Sequence, residues 1–208
     1  TPGKSGYASA MLQWYVFYVE RMDPDLIGTV AAVHRSDKHT FSKTTCELIE
    51  LVAGLGVNGD AHRGAKVKHR SRVAANPDQP NLRQVHLVMS ELLGEVTDAG
   101  HSIRAGQLGE NITTAGIDLI SLPVGSMLRI GNTALVALTG LRHPCPQIKS
   151  VGDGVMKMMF IDDPHNPDGP KIGRTGVMGV VVADGTVAAG DEIKIRFPAG
   201  PFARMEKV

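Results

Sequence analysis

The apolar positions of this chain recur mostly in short runs with a period of two, bounded by turn residues, and that pattern predicts strands. Ile27–Val33 reads as one strand and Glu47–Val52 as another. Ser126–Ile130 and Thr133–Thr139 flank Gly131-Asn132, a hairpin signal. Val177–Ala183 runs into Asp184-Gly185, again a hairpin signal, and Thr186–Val187 and Glu192–Phe197 follow. Helical periodicity is scarce. Ser90 is placed to cap a helix running to about Asp98, with Gly100 at its stop. Gln147–Phe160 is a weaker helical stretch because Gly152 and Gly154 interrupt it, and Asp162–Lys171 has loop composition. Strands returning by hairpins, with few helices, predict a mainly β fold: a closed or nearly closed antiparallel β-barrel with a few short helices.

One domain is expected over residues 27–197, with a C-terminal tail at 198–208. Residues 1–26 form an N-terminal extension. Leu12–Val19 is apolar, but Arg21, Met22, Asp23 and Pro24 follow it instead of a cleavage site, so a secretory signal is not indicated. The extension reads as an extra strand or a start-site artefact, Met22 making a natural first residue. At 208 residues the chain can bury a substantial core. Its 22 Lys+Arg against 21 Asp+Glu give a net charge of +1, which offers no whole-chain attraction to nucleic acid or membrane. No stretch approaches the length of a bilayer span, and a cytoplasmic location is expected.

Chemistry concentrates in a few segments. Gly54-Leu-Gly-Val-Asn-Gly59 matches a dinucleotide fingerprint, but Asp60, Ala61, His62, Arg63 and Gly64 follow where a helix should begin, so its glycines read as turn residues. His62–Arg72 carries Arg63, Lys66, Lys68, Arg70 and Arg72 without an acid; it is either a solvated basic loop or a positive field for a phosphorylated ligand. The two cysteines differ. Cys46 lies in an apolar strand and reads as packing. Cys145 lies between Pro144 and Pro146, with Arg142 and His143 near enough in sequence to favour a thiolate. Persulfide carrier, nucleophile and metal ligand all remain open for it on these grounds. Two cysteines cannot form a cysteine-based zinc site, and the eight histidines lack zinc-hydrolase spacing.

Four segments in one order, Gly56-Val-Asn-Gly-Asp-Ala-His62 with Gly64, Gly106-Gln-Leu-Gly-Glu-Asn-Ile112, Gly125 through Gly131, and Pro144-Cys145, resemble the MOSC domain. That module is found at the C-terminus of molybdenum-cofactor sulfurases, in the mitochondrial amidoxime-reducing component and as standalone bacterial proteins. Gly176–Val182 and Gly190-Asp191 resemble the family's closing hairpin.

The resemblance implies a MOSC-type barrel that binds molybdenum cofactor, with Cys145 as the molybdenum ligand. Asp60, His62, Glu110 and Asn111 match segments expected beside the cysteine. The roles assigned inside the pocket are hydrogen bonds to pterin or substrate from His62 and Asn111, phosphate or metal-oxo contacts from Arg63 and Arg142, and loop bracing or ligand contact from Asp60 and Glu110. His143 and His62 are candidate proton donors. The expected reaction is reduction of N-hydroxylated small molecules, with electrons from a separate donor protein. The alternatives are a carrier of molybdenum cofactor or sulfane sulfur using Cys145, and a metal-free cysteine-dependent enzyme. Members with a wider substrate platform carry an N-terminal β-barrel domain for which residues 1–26 are too short. No pyridoxal phosphate, nucleic acid or membrane partner is expected.

Overall fold

In the computed structural model, residues 27–164 and 166–208 are described, so the expectations for residues 1–26 lie outside the described residues. The strands are β1 (Ile27–Arg35), β2 (Thr44–Cys46), β3 (Leu48–Val52), β4 (Gly56–Val57), β5 (Val85–Met89), β6 (Ile112–Ala115), β7 (Met127–Ile130), β8 (Ala134–Leu141), β9 (Phe160–Ile161), β10 (Ile172–Gly173), β11 (Val177–Ala183), β12 (Gly185–Ala188) and β13 (Glu192–Arg196). Among the described residues, short helices join them: α1 (Arg70–Ala75), α2 (Ser90–Asp98) and α3 (Val155–Met158).

Seven strands close on themselves in the order β1-β13-β7-β8-β11-β5-β6, and β2 hangs from the far end of β1. The main core draws on all seven. Val30, Val33, Val85, Leu87, Ile112, Leu128, Ile130, Val136, Leu138, Val177, Val181 and Ile193 pack together, joined by Ile49, Leu51, Val57 and Val187 of the small β12-β3-β4 sheet. Strand alternation makes this possible, since every second residue of β8 is buried. Among the described residues no helix is long and apolar enough to cross a membrane.

The barrel is closed but mixed, which corrects the antiparallel expectation. β5 and β6 pair in parallel, with Leu87 opposite Ile112, because α2 and the segment after it carry the chain back to the starting edge. Parallel neighbours require such a crossover. Ser90 is the first residue of α2 but makes no capping bond; its hydroxyl turns to Glu91. Gly100 does close the helix, at φ +89°. The Gln147–Phe160 stretch breaks into a 3-10 turn at Pro146–Ser150, then α3, then β9, divided at Gly154. Asp184-Gly185 is not a hairpin turn between paired strands: β12 leaves β11 and pairs with β3, and Asp184 accepts the Ala53 amide at 2.6 Å.

A second apolar cluster sits outside the barrel. β5 generates it by alternation: Val85 and Leu87 join the main core, while Val88 packs with Leu92, Leu93 and Val96 of α2, Leu108, Ile148, Val155 and Met159. Phe41 and Cys145 lie against this outer cluster. The turn Gly106–Gly109 fastens it to the segment before β2. Gly106 (φ +87°) and Gly109 (φ +80°) have left-handed backbones, and a Cβ there would meet the Lys43 and Phe41 carbonyl oxygens at 2.7 Å.

Gly106→Ala is therefore expected to cost about 1–3 kcal/mol, from strain at positive φ and from steric clash with that backbone. Gly94→Ala, in α2 with open space around it, should gain about 0.5–1 kcal/mol from helix propensity. Urea unfolding of both variants checks the pair, and a neutral Gly106→Ala would contradict the turn's role.

Candidate functional site

The outer cluster and the barrel wall enclose a pocket of about 210 Å³. His86 and Met178, directly paired across β5 and β11, turn their side chains outward to form its wall. Arg142 and Cys145 enter from the end of β8, Lys43 from the segment before β2, His62 and His69 from the loop after β4, and Leu108, Gly109 and Asn111 from the turn before β6. Among the described residues no Asp or Glu lines it.

Cys145 Sγ is partly buried; Arg142 Nη2 donates to it at 3.5 Å, and Gln147 Oε1 lies 3.8 Å away. Arg142 Nη1 is buried with no hydrogen-bond partner among the described residues. An unpaired buried guanidinium nitrogen is costly, and an anion is the partner that would remove the cost. Cys46 is remote in role: it sits in β2, packs against the main core and donates to Thr44 O at 3.5 Å.

Behind the pocket lies a buried carboxylate. Asp60 Oδ2 accepts from Lys43 Nζ at 2.6 Å, from Asn111 Nδ2 at 2.9 Å and from the Ser36 amide at 3.3 Å. Its Oδ1 accepts from the His62 amide at 2.9 Å and from His62 Nδ1 at 3.1 Å. Burial would raise this carboxyl, but the His62 hydrogen bond and the Lys43 ammonium outweigh it and hold it below the usual carboxylate range. Burial also draws Lys43 down from the usual lysine range, with Asp60 opposing.

Asp60 does not line the pocket; it orients side chains that do. Its bond to Nδ1 leaves His62 with Nε2 as the nitrogen available for proton exchange. Asn111 lines the pocket, but its side chain bridges Asp60, the His34 carbonyl and the His86 amide. Its polar atoms are thus engaged within the fold.

The other expected residues are placed differently. Glu110 is fully buried behind the turn, accepts from the Gly106 amide at 2.6 Å and from Thr113 Oγ1 at 3.2 Å, and does not reach the pocket. Burial pushes its carboxyl above the usual range. Arg63 is exposed and does not line the pocket. His143 is exposed as well; its ring stands 6.1 Å from that of Phe160, on a separate cleft. The structure brings Cys145, Arg142, His62 and Asn111 together, with Asp60 behind them, and leaves His143, Arg63 and Glu110 out.

Lys43, His69, Arg83 and His86 were not singled out from sequence. His69 lies unremarked within the basic run at 62–72, Lys43, Arg83 and His86 stand between motifs, and it is the fold that brings the four together. His86 is buried and donates from Nε2 to Thr175 O at 2.8 Å; burial and the nearby Arg142 hold its imidazole well below the usual histidine range. His34, buried behind the wall between Thr45 and Thr113, is lowered to about 4 by burial and by Lys43.

The profile of the MOSC domain family matches residues 58–194. Among solved structures, the YUAD protein from Bacillus subtilis superposes with a TM-score of 0.65 at 25% identity, covering 81% of this chain and 95% of that one. YiiM from Geobacillus stearothermophilus (TM-score 0.54, 15% identity, 85% of this chain and 79% of that one) shares the fold. So does YiiM from Escherichia coli (TM-score 0.52, 18% identity, 84% and 73%). No curated protein matches the chain by sequence.

The Lys43 and Asp60 side chains are 4% and 1% exposed, so removing one partner strands a buried charge. Asp60→Asn is expected to cost about 3–5 kcal/mol at pH 7, and Lys43→Met with Asp60→Asn less than Asp60→Asn alone. Urea unfolding in a double-mutant cycle measures both.

The buried histidines set a pH dependence. With folded values below the unfolded 6.5, His34 and His86 remain neutral while the unfolded chain takes up protons. Stability should fall as pH drops from about 6.5 toward about 4. An unfolding midpoint that stays flat across that window would contradict their burial as neutral groups.

Proposed function

The chain belongs to the MOSC domain family, which is associated with molybdenum cofactor, and on that premise we propose that this pocket binds molybdenum cofactor with Cys145 as its protein ligand to the metal. One observation carries the reading: Cys145 Sγ opens onto a pocket lined by Lys43, Arg83 and Arg142 and, among the described residues, by no carboxylate and with no partner for the buried Arg142 Nη1. The donor set fits such a group. No cluster of three metal-ligating side chains exists among the described residues, so a metal held here needs further ligands of its own. A pterin dithiolene brings them, and a single soft thiolate completes the set.

Within this reading Arg142 offsets the cofactor's negative charge, and Phe41, Leu108 and Met178 give it an apolar wall. The bound cofactor would supply two-electron redox chemistry. The reaction we assign is reduction of an N-hydroxylated small molecule: the N–O bond breaks, two electrons and two protons are consumed, and amine and water leave. A separate electron-donor protein provides the electrons. His62, held by Asp60 through Nδ1, is the side chain placed to pass a proton at Nε2. Asp60 keeps that ring in one tautomer. His143 stands on a different cleft, so the proton transfer is assigned to His62 instead.

Protein prepared in a host that makes the cofactor should retain molybdenum in the wild type and in Cys46→Ser but lose it in Cys145→Ser. Equal metal content in the two variants would remove Cys145 from its role. Loaded protein with a reduced donor should convert a hydroxylamine or amidoxime to its amine over many cycles. His62→Ala should slow that turnover by about 10²–10⁴-fold with molybdenum content preserved. Product limited to one equivalent per protein would favour the carrier function instead.

A further inference from the structure

Two buried side-chain atoms among the described residues lack a hydrogen-bond partner: Arg142 Nη1 at the pocket and Glu110 Oε2 behind it. An anionic ligand would serve the first, but nothing in the pocket serves the second. Glu110 is fully buried, and its other oxygen, Oε1, accepts from the Gly106 amide at 2.6 Å and from Thr113 Oγ1 at 3.2 Å. Through Gly106 the carboxyl holds the turn whose Leu108 and Gly109 line the pocket.

Glu110 is also connected to the surface. A carboxylate only accepts, so the Thr113 hydroxyl donates to it, and the Thr113 oxygen takes the Nε2–H of His34, 3.0 Å away. His34 is neutral, so its Nδ1 accepts the Thr45 hydroxyl at 3.1 Å. Thr45 stands exposed on β2, while His34 and Thr113 are buried. Every donor in this chain points inward. One proton therefore enters by single steps: Thr113 gives its proton to Glu110 Oε1, His34 Nε2 gives its own to Thr113, Thr45 gives its own to His34 Nδ1, and water restores Thr45. Release runs the same steps in reverse.

The two charge states of Glu110 are unequal in this setting. As the acid it leaves only a neutral oxygen unpaired. As the carboxylate it leaves charge without a donor in a dry interior, and burial lifts the carboxyl above its usual range. The titratable and charged groups around it do not supply that donor. Lys43, before β2, feels the Glu110 charge, but its ammonium is bound to Asp60 Oδ2 at 2.6 Å. His34 on β1 and His86 on β5 stay neutral, and Asp60 beyond β4 is itself anionic. Water is the remaining donor, and it reaches Oε2 only when the turn tied to Oε1 moves.

We propose that Glu110 is a proton-operated latch on the pocket wall: as the acid it keeps the Gly106–Gly109 turn shut, and as the carboxylate, formed through Thr113, His34 and Thr45, it lets the turn open. The latch belongs to the wall itself and operates whatever the pocket binds.

Difference infrared spectra and amide exchange followed by NMR, on the whole chain, test this. The wild type at neutral pH should show a protonated-carboxyl band that Glu110→Gln lacks and that fades as pH rises. The Gly109 amide donates to Gly106 O at 3.2 Å within the turn. Its protection, normalised to the intrinsic exchange rate at each pH, should fall at least about tenfold over that rise and stay constant in Glu110→Gln, a neutral isostere that keeps an acceptor for Gly106. The folded chain keeps a proton that the unfolded chain releases above pH 4.5, so the stability this confers is lost as pH rises toward the folded value. Glu110→Gln should therefore gain on the wild type in unfolding midpoint across that rise. Thr45→Val, at an exposed position, should slow the band's return after a pH drop by at least about tenfold, because a buried acid without its chain exchanges only on local opening. No such band in the wild type at neutral pH, or Gly109 protection unchanged with pH, would overturn the latch, and the wild type alone decides both should Glu110→Gln fold poorly. An equal rate of return in Thr45→Val would overturn the route.

Discussion

The buried Asp60 carboxylate is the point on which the site depends. A charge this enclosed is tolerated only when donors surround it, and here the donors come from four places in the chain: Ser36 after β1, Lys43 before β2, His62 beyond β4 and Asn111 before β6. Each donor that satisfies Asp60 also fixes a segment forming the pocket. The same bonds that make the carboxylate affordable in a dry interior therefore hold His62 and Lys43 at the pocket's edge. Stability and site geometry have one cause at this position.

The barrel contributes through strand alternation. On β5, Val85 and Leu87 fill the interior, and His86, between them, turns to the outer wall. On β11, Val177 goes inward and Met178 outward, opposite His86. Building the polar pocket on the outer face keeps its side chains apart from the apolar cluster inside the barrel. The outer cluster around α2 then shields that face from water, which strengthens every electrostatic interaction in the pocket.

Much of this was legible in the sequence, for local reasons. β7, β8, β11 and β13 carry their own alternation and turns, and Cys145 and Arg142 sit three residues apart, so their contact needs no long-range information. The parallel β5–β6 pair was not legible. Its register depends on a crossover, and Val85–Met89 is buried on both faces, which removes the alternation that would mark it. Asp184-Gly185 has hairpin chemistry, but Ala53 and β3 compete successfully for that end of the chain. Histidine beside cysteine in sequence suggested His143; the turn through Pro144 sends the two side chains to different clefts. Lys43 and Arg83 belong to no motif, and their place in the site is a property of the fold alone.

Charge distribution supplies the last constraint. The chain is nearly neutral overall, at +1, yet the pocket beside Cys145 bears Lys43, Arg83 and Arg142 with no Asp or Glu among its described lining residues. Neutral composition therefore conceals a segregated surface, with acids such as Asp78, Asp162 and Asp163 paired elsewhere to Lys66, Lys171 and Arg204. Asp60 is saturated by its own donors. Grouping cations in this way lowers the stability of the empty protein through mutual repulsion, and Arg142 adds the cost of an unpaired buried nitrogen. Such a penalty is relieved in full only by an anion that binds the folded state, because the unfolded chain has no comparable cluster. Binding and folding are then linked: part of the ligand's affinity is the repulsion it removes.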